Sequence, residues 1–166
     1  GLPYVATLLG VKQVYPGRYA PDTLIQYIRD EKVTFSHCVP TIMHLMLTSA
    51  AAKDVDFSGW KVIIGGSALP KGLAAAGIAR GIDIFAGYGM SETCPILTLT
   101  RVPADVAADD GERQAVERIL TGYPVPLVDM RTVDADMLDT PRDGQAASAG
   151  EIVVRTPWLT MGYLHN

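Results

Sequence analysis

From Leu2 to Arg101, short β-branched runs alternate with longer stretches of helical periodicity, and two of the runs end in glycine-rich turns. Few folds accept such a pattern. A strand that pairs with a parallel neighbour needs a crossover of about a dozen residues or more, and a helix is its usual content. Val11-Lys12-Gln13-Val14-Tyr15, closed by Pro16-Gly17, reads as a first strand. Pro21 and Asp22 suit the first turn of a helix whose apolar face is Leu24, Ile25 and Ile28. Residues 33–36 read as a second strand. Pro40-Thr41 then opens a buried helix carrying Ile42, Leu45 and Met46, with Thr41 as its N-cap. Residues 60–64 are a third strand, followed by Gly65-Gly66-Ser67-Ala68-Leu69-Pro70 and a helix ending near Arg80-Gly81. A fourth strand, Ile82-Asp83-Ile84-Phe85, runs into Ala86-Gly87-Tyr88-Gly89-Met90-Ser91-Glu92-Thr93. Ligands of open α/β sheets lie beyond the C-terminal strand ends, so the two glycine turns are expected to face each other across one crevice.

Composition shifts after Arg101. Residues 103–120 are charged, with Val116, Ile119 and Leu120 forming one short helical face. Further on, Leu127-Val128-Asp129-Met130-Arg131-Thr132-Val133 and Gly150-Glu151-Ile152-Val153-Val154-Arg155 alternate apolar with polar, the period of half-exposed strands, and Pro141-Arg142-Asp143-Gly144 reads as a turn between them. The expected fold class is α/β: a parallel sheet flanked by helices, followed by a small β-rich unit. Its expected divisions are an α/β unit over residues 1–103, a helical connector over 104–120, and the start of the β-rich unit over 121–166. The absence of an initial Met and the patterned, apolar end at Trp158 to Leu164 read as an internal piece of a longer protein.

Charge narrows the partners. Fourteen Lys and Arg against eighteen Asp and Glu give a net charge of −4, with no basic block to neutralise a run of phosphates, which disfavours nucleic acid. Cys38 and Cys94 have no metal-ligand spacing and suggest a reducing, cytoplasmic setting. No run approaches the roughly 18 apolar residues of a membrane span.

Glycines let a flat ligand or an anion approach the backbone, whose N–H groups then bind phosphate oxygens. Gly65-Gly66 and Gly87 with Gly89 both offer this. Between the latter, Tyr88 is placed to stack on an aromatic base; Ser91 can hydrogen-bond a phosphoryl oxygen, and Glu92 can hold a Mg²⁺ that bridges phosphates. The same residues also admit a bland reading, in which the glycines satisfy positive φ, Tyr88 packs in the core and Glu92 favours a helix start. Neither Gly-Lys-Ser/Thr after a glycine loop nor Gly-x-Gly-x-x-Gly occurs, which disfavours the Walker and dinucleotide sites.

Gly87-Tyr88-Gly89-Met90-Ser91-Glu92-Thr93 resembles the Gly-Tyr-Gly-Met/Leu-Thr-Glu-Thr signature of the adenylate-forming acyl-CoA synthetase and luciferase superfamily. Three collinear segments resemble it as well: Val39-Pro40-Thr41, Gly65-Gly66-Ser67-Ala68-Leu69-Pro70, and Gly150-Glu151-Ile152-Val153-Val154 through Gly162-Tyr163. The opening residues and Thr156-Pro157-Trp158 look most like the medium- and long-chain fatty-acid branch. The resemblance implies an acid–thiol ligase that uses ATP, Mg²⁺ and CoA to turn a carboxylic acid, in this branch a fatty acid, into an acyl-adenylate and then a thioester. It implies that Tyr88 stacks on adenine with Gly65, Gly66 and Ser67 over the other face. It also implies that Gly89 belongs to the nucleotide turn, that Ser91 binds a phosphoryl oxygen, that Glu92 ligates Mg²⁺, and that Gly66 and Gly87 border an acyl tunnel. Ser91 stands where the family more often has Thr, and Ala86 where the fatty-acyl branch often has Gln. The family's phosphate loop, its ribose-binding Asp and its catalytic Lys have no counterpart in these residues, so the 166 residues alone are expected to be inactive.

The remaining candidates are weaker. His37 sits at a strand end near an acyl pocket, yet a lone His in an apolar run is more often structural. Ser67 lacks the second glycine of a nucleophile elbow. Asp105, Asp109, Asp110 and Glu112 read as a solvated face. His44 and His165 have no evident partners. Other acids remain open: an aryl-CoA ligase, or an amino-acid adenylation domain, which is disfavoured because no Asp stands between Thr41 and Ala52. A nucleotide-binding module without chemistry is the non-enzymatic alternative. Apolar seams allow a homo-oligomer, and fatty substrates allow loose peripheral contact with a membrane.

Overall fold

A computed structural model describes residues 2–107, 111–140 and 150–164. Its spine is three parallel strands, β1 (Phe35–Cys38), β2 (Lys61–Ile64) and β3 (Asp83–Tyr88), paired in chain order so that Cys38, Ile64 and Ala86 stand side by side. The crossovers are α3 (Pro40–Thr48) and α4 (Lys71–Ile78); α1 (Leu2–Leu8) and α2 (Pro21–Asp30) precede the sheet. Two short antiparallel strands, β4 (Thr98–Leu99) and β5 (Tyr123–Pro124), extend the sheet beyond β3, with α5 (Ala104–Ala107) and α6 (Gly111–Arg118) between them. A separate antiparallel pair, β6 (Asp129–Val133) and β7 (Glu151–Arg155), completes the described fold.

Side chains alternate across the strands, and the face carrying Val62, Ile64, Ile84 and Ala86 is buried against Met43, Met46 and Ala74 of the crossover helices, with Phe57 and Trp60 closing one end. Gly77 sets how closely α4 can lie on this face: a Cβ there would come within 2.5 Å of the ends of Ile84 and Met43. Beside α4, α6 adds Ala115 to this core, and its buried Arg118 donates to Asp83 at 2.7 Å and to the Ile84 carbonyl at 2.6 Å, with its guanidinium over the Phe85 ring. Burial of that cation is offset by these oxygens and by the aromatic face.

Three local expectations change. Residues 11–15 form no strand; Val11 and Tyr15 lie exposed, because alternation without a neighbouring ladder gives the backbone no partner. The strand expected at 33–36 forms two residues later, so that it carries His37 and Cys38. Thr41 is not the cap of α3: Val39, extended at φ −97° and ψ 158°, holds that place without a side-chain bond, and Pro40 at the first helical position has no N–H to satisfy. The 141–144 turn, Asp109, Asp110 and His165 lie outside the described residues. Among the described residues, no helix is long and apolar enough to cross a membrane.

Candidate functional site

The parallel register decides where the glycine turns go. With Ile64 beside Ala86, the next residues, Gly65 and Gly87, emerge together at the C-terminal edge of the sheet. A Cβ on Gly65 would stand 3.6 Å from the Gly87 carbonyl oxygen and 3.6 Å from His37 Nε2, so three consecutive strands contribute to one side-chain-poor crest. Gly66, at φ +83°, turns the chain away from β2 toward α4. The backbone N–H groups of Gly66 and Ser67 make no hydrogen bond among the described residues, and both residues are exposed. Such a turn can receive an anion or the face of a flat ring.

Tyr88 closes β3 and is half-buried, its carbonyl accepting from Leu97 N–H at 2.8 Å. Gly89 is the close approach in the second turn: a Cβ would fall 1.7 Å from the Pro95 carbonyl oxygen, so only glycine lets residues 89–95 fold back on themselves. Thr93, buried in a single tight turn spanning Ser91–Thr93, accepts from the Met90 N–H at 3.0 Å and fixes the loop from within. Ser91 is left exposed and Glu92 half-exposed on the outer side.

Glu92 has partners that sequence reasoning did not supply. Tyr163 donates its hydroxyl to Glu92 Oε1, and the Thr160 N–H donates to the Glu92 carbonyl at 2.9 Å. Accepting the phenol's bond holds the Glu92 carboxyl below the usual carboxylate range, and the same bond raises the Tyr163 phenol. The signal for it in the sequence is the Gly162-Tyr163 pair. Burial lowers the His37 imidazole, which is therefore neutral at pH 7, and pushes the Cys38 thiol up to about 12, an inert core group. Cys94 is exposed.

The expected residues thus fall into two groups on one edge: Gly65, Gly66 and Ser67 after β2, and Gly87, Tyr88, Gly89, Ser91 and Glu92 at and after β3. The crest is an open rim. Two concavities of about 390 and 380 Å³ lie elsewhere, one lined by Thr100, Arg101 and Tyr123, the other by Arg29, Asp56 and Trp60. No group of three or more His, Cys, Asp or Glu among the described residues could cage a metal. A Mg²⁺ carried by a triphosphate needs only one or two carboxylates. Glu92 fits that demand: it is ionised, half-exposed, and in no ion pair among the described residues.

A largely parallel open sheet with glycine turns at its C-terminal rim defines an α/β protein of the kind that takes its ligand at the strand ends. The chain belongs to the AMP-binding enzyme family, whose model matches residues 2–164. It is 36% identical to a long-chain-fatty-acid–CoA ligase of Thermus thermophilus over 99% of this chain and 30% of that protein. It is 33% identical to a 3-methylmercaptopropionyl-CoA ligase of Ruegeria pomeroyi over 98% of this chain and 30% of that one. The chain therefore spans about 30% of the length of these relatives. Its fold matches the crystal structure of a long-chain-fatty-acid-CoA ligase from Archaeoglobus fulgidus with a TM-score of 0.79, at 20% identity, covering 98% of this chain and 32% of that one.

Proposed function

We propose that these residues are the central part of an ATP-dependent acid–thiol ligase, acting in the cytoplasm on a carboxylic acid, in first place a fatty acid, and carrying the adenine and cation end of its site. The observation that carries this reading is the placement of Gly65 beside Gly87, which joins two glycine turns into one surface able to accept a planar base. Tyr88 stacks on the adenine, and the Gly65-Gly66-Ser67 backbone covers its other face. Ser91 donates to a phosphoryl oxygen. Glu92 holds the Mg²⁺ that arrives with ATP, whose charge favours the build-up of negative charge on the triphosphate. Gly66 and Gly87 leave room for the acid.

In this reading a carboxylate oxygen attacks the α-phosphorus, and pyrophosphate leaves with the bonding pair. The CoA thiolate then attacks the carbonyl carbon of the adenylate, and AMP leaves. The phosphate loop, the ribose-binding Asp and the catalytic Lys of that chemistry are expected outside these residues, so the 166 residues alone are expected to be inactive.

Carboxylate-dependent exchange of pyrophosphate into ATP by the full-length protein tests the proposal, with straight-chain acids of graded length set against aromatic acids. Exchange that saturates with medium or long straight-chain acids is the expected result. Preference for aromatic acids would move the substrate, and exchange with no acid would withdraw the reaction. Glu92→Ala should depress adenylation far more than transfer from a preformed adenylate to CoA; equal losses would remove Glu92 from the cation.

A further inference from the structure

We infer that Tyr163 is a positioning residue for Glu92: the segment after β7 lies across the second glycine turn so that the phenol occupies one carboxylate oxygen and leaves the other for the cation. The inference rests on the proposed role of Glu92.

Two contacts, made by different groups of the segment, hold it in place. The Thr160 N–H grips the Glu92 backbone carbonyl at 2.9 Å, and the Tyr163 hydroxyl reaches Oε1 of the same residue. The main-chain bond fixes where Glu92 begins, and the phenol fixes how its carboxylate is turned. Between them, Thr160 Oγ1 donates to the Gly162 carbonyl at 3.1 Å, and Gly162 takes φ +151°, a conformation L side chains rarely adopt. Nothing lies within 4 Å of where its Cβ would be, so glycine is required there by the backbone and not by space. The kink at Gly162 aims Tyr163 back at Glu92, which gives the Gly-Tyr pair a physical reason.

A carboxylate on a mobile side chain presents either oxygen, in many orientations. Pinning one by a hydroxyl selects the orientation in which the other is free, as hydrogen-bonded outer partners do for metal ligands generally. Tyr163 carries no charge at neutral pH and so does not compete with the cation as a Lys or Arg would.

The test is a double-mutant cycle on the full-length protein, reading the affinity for Mn²⁺ in the presence of α,β-methylene-ATP from the electron paramagnetic resonance signal of free Mn²⁺. Tyr163→Phe keeps the ring and is expected to weaken Mn²⁺ by roughly tenfold, with an unchanged melting temperature. Gly162→Ala should act in the same direction by misaiming the phenol. In a Glu92→Gln background, Tyr163→Phe should have no further effect. Unchanged Mn²⁺ affinity in Tyr163→Phe, or a loss that adds in full to that of Glu92→Gln, would overturn the inference. Glu92→Gln binding Mn²⁺ as tightly as the unaltered protein would instead remove the cation role of Glu92 itself.

Discussion

Gly65 separates what a residue does for the fold from what it does for a ligand. It has no positive φ, and a Cβ there meets the Gly87 carbonyl and His37 at ordinary contact distance, so alanine fits without displacing backbone. A Gly65→Ala protein should therefore stay within about 1 kcal/mol of the parent's stability. The added methyl would fill the space between His37 and Gly87 under the crest on which the base is proposed to lie, and titration calorimetry should find ATP bound more weakly. Equal affinity would mean that the ligand does not use this surface. Gly66→Ala differs: with φ at +83° it should cost about 1–2 kcal/mol of stability. His37 titrates with a sign that can be checked. Because burial lowers its pKa, the folded state holds fewer protons than the unfolded state; the stability from its neutral form is present above about 6.5 and is lost as pH falls toward the folded value. Much of the candidate site was legible, since glycine turns and the residues within them are local in sequence. Tyr163 was not, because its bond to Glu92 spans 71 positions and no local pattern encodes that contact.

At the scale of elements, legibility followed pairing. The strands at β2 and β3 were readable because their β-branched runs are long enough to be buried between neighbours. The run at 11–15 has the same texture but no partner, and texture alone does not make a ladder. The charged stretch after Arg101 concealed a structural contact: α6 brings Arg118 under the sheet edge to hold Asp83, the first residue of β3. A fully buried pair broken on one side costs about 3–5 kcal/mol. Asp83 is a third exposed, so water compensates part of the loss, and the Ile84 carbonyl still accepts from Arg118. Asp83→Ala should lower stability by about 2 kcal/mol, read as a fall in the urea midpoint with an unchanged slope. Arg118→Met in the same background should recover part of that loss, because removing the stranded cation also removes its desolvation. An Asp83→Ala protein that unfolds with the parent would show that the pair contributes nothing to β3.

On the scale of the whole molecule, apolar surface is unevenly distributed. The buried face of the sheet is covered by α3 and α4, while the opposite face leaves Phe35 exposed and Ile63 and Phe85 half-exposed. The α1 segment adds Tyr4 and Leu8, exposed to 82% and 85%. Exposed apolar patches of this kind drive association when nothing covers them. Relatives about three times as long as this chain have material to cover them. Two arrangements can then be told apart by mass. Produced alone at tens of micromolar, the 166 residues should sediment as species heavier than a monomer, and Leu8→Glu with Phe35→Lys should return them toward monomer, because a charge in each patch makes burial costly. The same pair of substitutions in the full-length protein should instead destabilise it, since there the patches would be internal. A full-length protein that tolerates both charges with its melting temperature unchanged would show that these faces point to solvent in the complete molecule, and that the apolar seam belongs to some other contact.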